Sequence, residues 1–179
     1  MLFDELQKAR EGNITALNNL LDKHKDLAFC IANKYVKNEA DAEDIVQEAF
    51  IKVFLNIRQF KSESSFSTWL YKIIYHESLK HLNNSKKFIT INYEAEEDQD
   101  YFEMKVFEHE RYEIFKTAMH CLSANEYMVI NLFYLAEKDI KEIVEITNQT
   151  NSNIKVLLHR ARKKMANYFD FNTELKNSL

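Results

Sequence analysis

The chain has 179 residues, a formal net charge of −4, a single glycine (Gly12) and no proline. Glycine and proline supply most tight turns and helix breaks, so a turn-rich sheet protein is excluded and an all-α fold is expected. Hydrophobic residues at 46% and charged ones at 29% fit a packed chain, and no run of about 18 apolar residues is present to insert in a membrane.

The start, Met1-Leu2-Phe3-Asp4-Glu5, lacks the charged-then-apolar build of a signal peptide. Helical spacing predicts a first helix from about Phe3 to Glu11 and a second from about Thr15 to Val36. The second carries Leu17, Leu20, Leu21, Leu27, Ala28, Ile31 and Tyr35 on its apolar side. A third, from about Asp41 to Ile57, places Ile45, Val46, Ala49, Phe50, Val53, Phe54 and Ile57 on one face. Gln59 to Ser67 is polar and serine-rich, which predicts a loop, and a fourth helix follows from about Thr68 to Asn84.

On that fourth helix Leu70, Tyr71, Ile74, Tyr75, Ser78 and Leu82 gather on one side. Trp69, Lys72, His76, Lys80 and Asn83 gather on the other. A tryptophan within a stripe of cations and polar groups suits a surface that stacks on bases and grips a single strand. Closing the edge of the core is the other reading of Trp69, and both stay open. His76-Glu77 and His81 are reminiscent of a zinc-protease pattern, but the histidines are five apart. That spacing puts them about 140° apart on a helix, so they cannot share a metal. No metal site, cofactor, small-molecule substrate or catalytic constellation is expected.

From Lys86 to Tyr101 the helical period is lost and acids accumulate, which predicts a domain boundary. The divisions drawn are a first domain at 1–85, an acidic linker at 86–105 and a second domain at 106–179. Residues 88 to 118 hold nine acids against Lys105, Arg111 and Lys116, a balance of −6 that leaves +2 for the rest. Cys30 and Cys121 lie far apart in apolar stretches and are expected as buried free thiols of a cytoplasmic protein.

Helical character returns near Phe102 and lasts to His120. Ser123-Ala124-Asn125-Glu126 then matches a capping box, opening a helix to about Leu135. Two shorter helices, about Asp139 to Thr147 and Asn151 to Tyr168, have the layout of a helix-turn-helix. Asn148 stands where the turn needs a left-handed residue, and Thr150 where the last helix needs an N-cap.

Ser152 to Met165 carries Lys155, Arg160, Arg162, Lys163 and Lys164 and no acid. At about 100° per residue, Ile154, Leu158, Ala161 and Met165 face inward. Ser152, Lys155, Val156, His159 and Lys163 lie opposite, with Asn153 and Arg160 on the flank. Such a face can meet base edges near its N-terminus and phosphates further along. A solvated basic face on a plain helical hairpin is the other reading.

The segments Asp41-Ala42-Glu43-Asp44-Ile45-Val46-Gln47-Glu48-Ala49-Phe50 and Phe66-Ser67-Thr68-Trp69-Leu70-Tyr71-Lys72-Ile73 resemble region 2 of sigma-70-type factors. Asn153-Ile154-Lys155-Val156-Leu157-Leu158-His159-Arg160-Ala161-Arg162 resembles region 4 of the same family, in its extracytoplasmic-function group. The resemblance covers nearly the whole chain, in order. It implies docking of Asp41, Asp44, Gln47 and Glu48 on the clamp helices of the largest subunit of RNA polymerase. It implies contacts of Lys61, Ser64, Ser65 and Phe66 with a flipped base of the −10 element, beside the Trp69 stripe. It also implies entry of the helix from Asn151 into the major groove at the −35 element, contact with the flap of the second-largest subunit, and an anti-sigma partner. Departures are Leu157 for a usual Arg, Gln149 for an apolar residue, Asn148 for Gly, His76 for Asn and Glu77 for an aliphatic residue. A helix-turn-helix regulator that is not a polymerase subunit, and a helical adaptor with no DNA role, are the competing readings.

Overall fold

Gly12, at φ 98, turns the chain between α1 (Leu2–Arg10) and α2 (Ile14–Asp22), in a conformation that side chains disfavour. A Cβ added there would lie 2.9 Å from Nη2 of Arg58, the far end of a flexible exposed side chain that can shift aside, so it is the torsion that opposes substitution. The computed structural model describes residues 2–88, 115 and 117–177, and among them there is no strand. The expected all-α architecture is what the chain adopts.

Three longer elements follow: α3 (Lys25–Val36), α4 (Glu39–Asn56) and α5 (Phe66–Phe88), with a 3-10 turn at Ile57–Gln59. Their ends are set locally. Asn13 accepts from the amide of Ala16 at 3.0 Å to start α2, and Asn38 accepts from that of Asp41 at 3.2 Å to start α4. Lys37 ends α3 in the left-handed region, a place that glycine usually fills.

The chain divides into two compact units, the first Met1–Asp100 with Glu145–Thr147, the second Tyr101–Val144 with Asn148–Leu179. In the first, α3, α4 and α5 pack mutually, and α1 packs on α2 and on the 3-10 turn. Ile31, Val53, Leu70 and Ile74 are wholly buried, and Ala32 meets Ala42 and Ile45 between α3 and α4. Each large aliphatic side chain buried in this way stabilises by roughly 1.5–3 kcal/mol. In the second unit α6 (Ala124–Tyr134), α7 (Ile140–Thr147) and α8 (Asn151–Asn177) follow in turn, with α6 packed on α8. Met128, Leu132, Ile143, Ile146 and Ile154 are fully buried.

The structure corrects several expectations. The helix expected from Thr15 to Val36 is two helices, broken at Lys23 and His24. His24 Nδ1 lies 3.0 Å from the Tyr71 hydroxyl on α5, and its ring packs against Phe66 and Tyr71. That tertiary contact competes with a straight helix. Phe54, expected inward, is 52% exposed: Val53 takes the buried position and Phe54 lies one helical step around from it. Cys121, expected buried, is exposed in the turn after helical residues 117–120, and Cys30 is half-buried. The serine loop is shorter than expected, because the 3-10 turn takes Ile57–Gln59 and α5 starts at Phe66. Helices α5 and α8 also run on past their expected ends at Asn84 and Tyr168. Most of the linker drawn at 86–105, and the start of the helix expected from Phe102, lie outside the described residues.

Candidate nucleic-acid interface

Helix α7 opens with a capping box in which Asp139 Oδ1 accepts from the Glu142 amide at 2.8 Å. Glu142 Oε2 accepts in return from the Asp139 amide at 3.1 Å. It closes on Asn148, at φ 57 and ψ 24, whose amide donates to the Val144 carbonyl. Thr150 Oγ1 then accepts from the Asn153 amide at 3.2 Å and starts α8. The turn between α7 and α8 is thus only residues 148–150, which is the tight connection a helix-turn-helix needs.

On α8, Ile154 and Ala161 are fully buried and Leu158 is nearly so, while Met165 is half-buried. Ser152, Asn153, Lys155, Val156, His159, Arg160 and Lys163 are all exposed. The structure therefore brings all seven expected duplex contacts onto the outer surface of one helix. Asn153 Nδ2 donates to Gln149 Oε1 at 2.7 Å, so the residue in the turn orients a side chain at the helix start.

Two cations of the acid-free stretch have other work. Arg162 Nε donates to the Tyr134 hydroxyl at 2.9 Å, and its guanidinium lies 5.4 Å from the Phe133 ring centre and 5.6 Å from that of Tyr134. Lys164 donates to Glu126 at 2.7 Å. Both fasten α8 to α6, a role that charge counting along the sequence missed.

In the first unit, Ser65 Oγ accepts from the Thr68 amide at 3.2 Å and lies 2.7 Å from Thr68 Oγ1, which starts α5. Lys61 and Ser65 are exposed and Ser64 is half-buried. Between them Ser62 sits at φ 56, a strained backbone state that sequence reading did not anticipate. Phe66 differs from expectation. It is 4% exposed, its ring held among those of His24, Phe60 and Trp69, so it anchors the loop and does not offer a surface to a base. Trp69 is half-buried and stacks on Phe60 at 4.9 Å between ring centres. Beyond it, Lys72 is half-buried and His76, Lys80 and Asn83 are exposed along the same side of α5.

Helix α4 presents Asp44, Gln47 and Glu48 to solvent, and Asp41 Oδ1 lies 3.9 Å from His81 Nε2. At helical spacing beyond them Ile51 is 58% and Leu55 65% exposed. Sequence reading missed this apolar continuation of the carboxylate face, which is the make-up of a protein-docking surface. Behind it, Lys52 donates to Glu77 of α5. Burial pushes the Glu77 carboxyl up, but its bonds and charge contacts with Lys52 and Lys80 prevail and hold it below its ordinary value.

Sequence comparison matches residues 20–88 to Sigma-70 region 2 and residues 112–165 to Sigma-70 region 4. A Haemophilus influenzae protein described as a probable RNA polymerase sigma factor is 30% identical over 152 residues, covering 73% of this chain and 78% of its own. The ECF RNA polymerase sigma factor SigW of Bacillus subtilis is 27% identical over 177 residues, covering 92% of this chain and 95% of its own. Two solved structures share the fold. The sigma factor RpoE of Bartonella quintana, in complex with the anti-sigma factor NepR, superposes with a TM-score of 0.64 at 19% identity, over 88% of this chain and 98% of that one. CnrH in complex with the cytosolic domain of CnrY gives 0.62 at 18%, over 93% and 95%.

Proposed function

Since this chain belongs to the extracytoplasmic-function group of the sigma-70 family, which directs promoter-specific transcription by core RNA polymerase, we propose that its two units read the two promoter elements separately. The first unit, drawn at 1–85, docks on the clamp helices of the largest subunit through Asp41, Asp44, Gln47 and Glu48. Ile51 and Leu55 add desolvated area to that contact. Lys61, Ser64 and Ser65 receive a base of the −10 element, and Trp69, Lys72, His76, Lys80 and Asn83 line the melted strand. The second unit, drawn at 106–179, places α8 in the major groove at the −35 element and meets the flap of the second-largest subunit. The acidic stretch at 86–105 joins them.

Sigma factors are regulatory subunits and not catalysts, and this one works without a metal or cofactor of its own, in the cytoplasm where the polymerase is. The complex of RpoE with an anti-sigma factor supports a partner of that kind here.

The observation that carries this reading is that regions 2 and 4 match in order, each on a surface of fitting chemistry. The test is to mix the purified chain with core polymerase, follow co-elution, and assay run-off transcription from genomic fragments that core enzyme alone ignores. Failure to co-elute, with tight duplex binding by the free chain, would favour a regulator that acts apart from polymerase.

A further inference from the structure

Glu77 is 7% exposed on α5 and stands where the resemblance leads one to expect an aliphatic side chain. A lysine takes each of its oxygens. Lys52 of α4 donates to Oε1, and Lys80 of α5 donates to Oε2 at 3.4 Å. The carboxylate is therefore paired despite its burial, and the three groups together carry one positive charge. Both lysines still reach solvent, Lys52 at 43% and Lys80 at 60% exposure. Lys80 also lies 3.9 Å from Glu48, but both side chains are well exposed and water screens the contact.

An ammonium has three N–H donors, and the carboxylate uses one from each lysine, which leaves two on each for another acceptor. A lysine already tethered loses less side-chain freedom on gripping a phosphate than a free one does. Lys80 continues the Trp69, Lys72, His76 stripe, whereas Lys52 comes from a different helix.

We propose that Lys52 is a phosphate contact for the separated DNA strand, and that Glu77 is the positioning residue that holds Lys52 and Lys80 as one cationic pair. This rests on α5 being the single-strand face, and extends that face onto α4. A plain brace between α4 and α5 is the competing role for the same ion pairs.

The test titrates holoenzyme, assembled from core polymerase and the full chain, with a fluorescent duplex containing an unpaired bubble, over a series of salt concentrations. Lys52→Gln is expected to weaken binding several-fold and to lower the slope of log affinity against log salt by about 0.7, the share of one single-strand phosphate. Lys52→Arg should keep both. Glu77→Gln tests the sign. It removes a negative charge, so a general charge effect tightens binding, whereas loss of the tether weakens it. An unchanged slope in Lys52→Gln, with a lower melting temperature, means a brace and overturns the proposal for Lys52. Tighter binding by Glu77→Gln overturns the positioning role. The two Lys52 variants change a solvent-reaching side chain, so they decide the role of Lys52 even where Glu77→Gln does not fold. Lys72→Gln separates the levels: if it leaves bubble binding unchanged, the reading of α5 itself fails. If it weakens binding and Lys52→Gln does not, only the role of Lys52 fails.

Discussion

Lys164 of α8 donates to Glu126 of α6 at 2.7 Å across 38 positions of sequence. The same carboxylate oxygen accepts from the amide and the hydroxyl of Ser123, both at 2.9 Å. One buried carboxylate thus closes the capping box of α6 and fastens α8 to it. Burial pushes this carboxyl up, but the bonds from Lys164 and Ser123 and the charge of Lys164 outweigh that effect and hold it below its ordinary value of 4.5.

A glutamate with a lowered folded value contributes stability that is full above its unfolded value and is lost as pH falls through the folded one. The second unit should therefore lose stability below about pH 4.5. Glu126→Gln should cost about 1–3 kcal/mol at neutral pH and flatten that acid limb. Thermal melts of both proteins, from neutral pH to roughly pH 3, check this. Parallel curves would show that the carboxylate charge is not what holds α8.

Charge reversal at Asp44 and Glu48 should weaken binding to core polymerase by about 2–5 kcal/mol if the pair is desolvated on docking. Helicity should not change, since both residues are exposed. Leu55→Ser, which removes an exposed apolar side chain from the same helix, should act in the same direction. Competition for core enzyme and circular dichroism measure the two quantities, and unaltered affinity in both variants would move docking to another surface.

Lys155→Ala or Arg160→Ala should lower the salt slope of upstream duplex binding by about 0.9 for each phosphate that is no longer neutralised. Transcription from a pre-melted template should hardly respond. Equal damage on both templates would make the outer face of α8 structural.

Trp69 is the one tryptophan of the chain, and it gives one side of its ring to Phe60. Its fluorescence should change when the free protein binds single-stranded oligonucleotide. Trp69→Ala should slow promoter opening by an amount equivalent to about 1–3 kcal/mol, the worth of a stacked base, while sparing upstream duplex binding. Trp69→Phe, which keeps a ring against Phe60, should restore stability more fully than opening. A variant that melts lower yet opens promoters at the normal rate would assign Trp69 to the core alone.

Thr150→Ala should destabilise the second unit by about 1 kcal/mol through loss of the α8 cap. Asn148→Val should also destabilise it, because Asn148 holds φ 57 and a branched side chain resists that state. Denaturant titrations of the two variants measure both effects, and wild-type midpoints would show that the turn is held by packing alone.

The sequence by itself determined the class of fold, the helix starts at Ser123, Asp139 and Thr150, and the outward face of α8. Each of these depends on groups within one or two helical turns: a cap needs a side chain three residues from an amide, and a face needs only the helical period. The outward carboxylates of α4 were legible for the same reason. Only the tertiary structure decided the break at His24, the burial of Phe66, the exposure of Phe54 and the pairing of Lys52 with Glu77. It also decided that Arg162 and Lys164 turn to α6 while Lys155 and Arg160 stay exposed. A basic helix carries the same charge pattern whether a given cation meets a phosphate or a buried carboxylate. Which one it meets is settled by an element 28 to 38 positions away in the chain, whose placement follows from burial of the whole core and not from any local spacing.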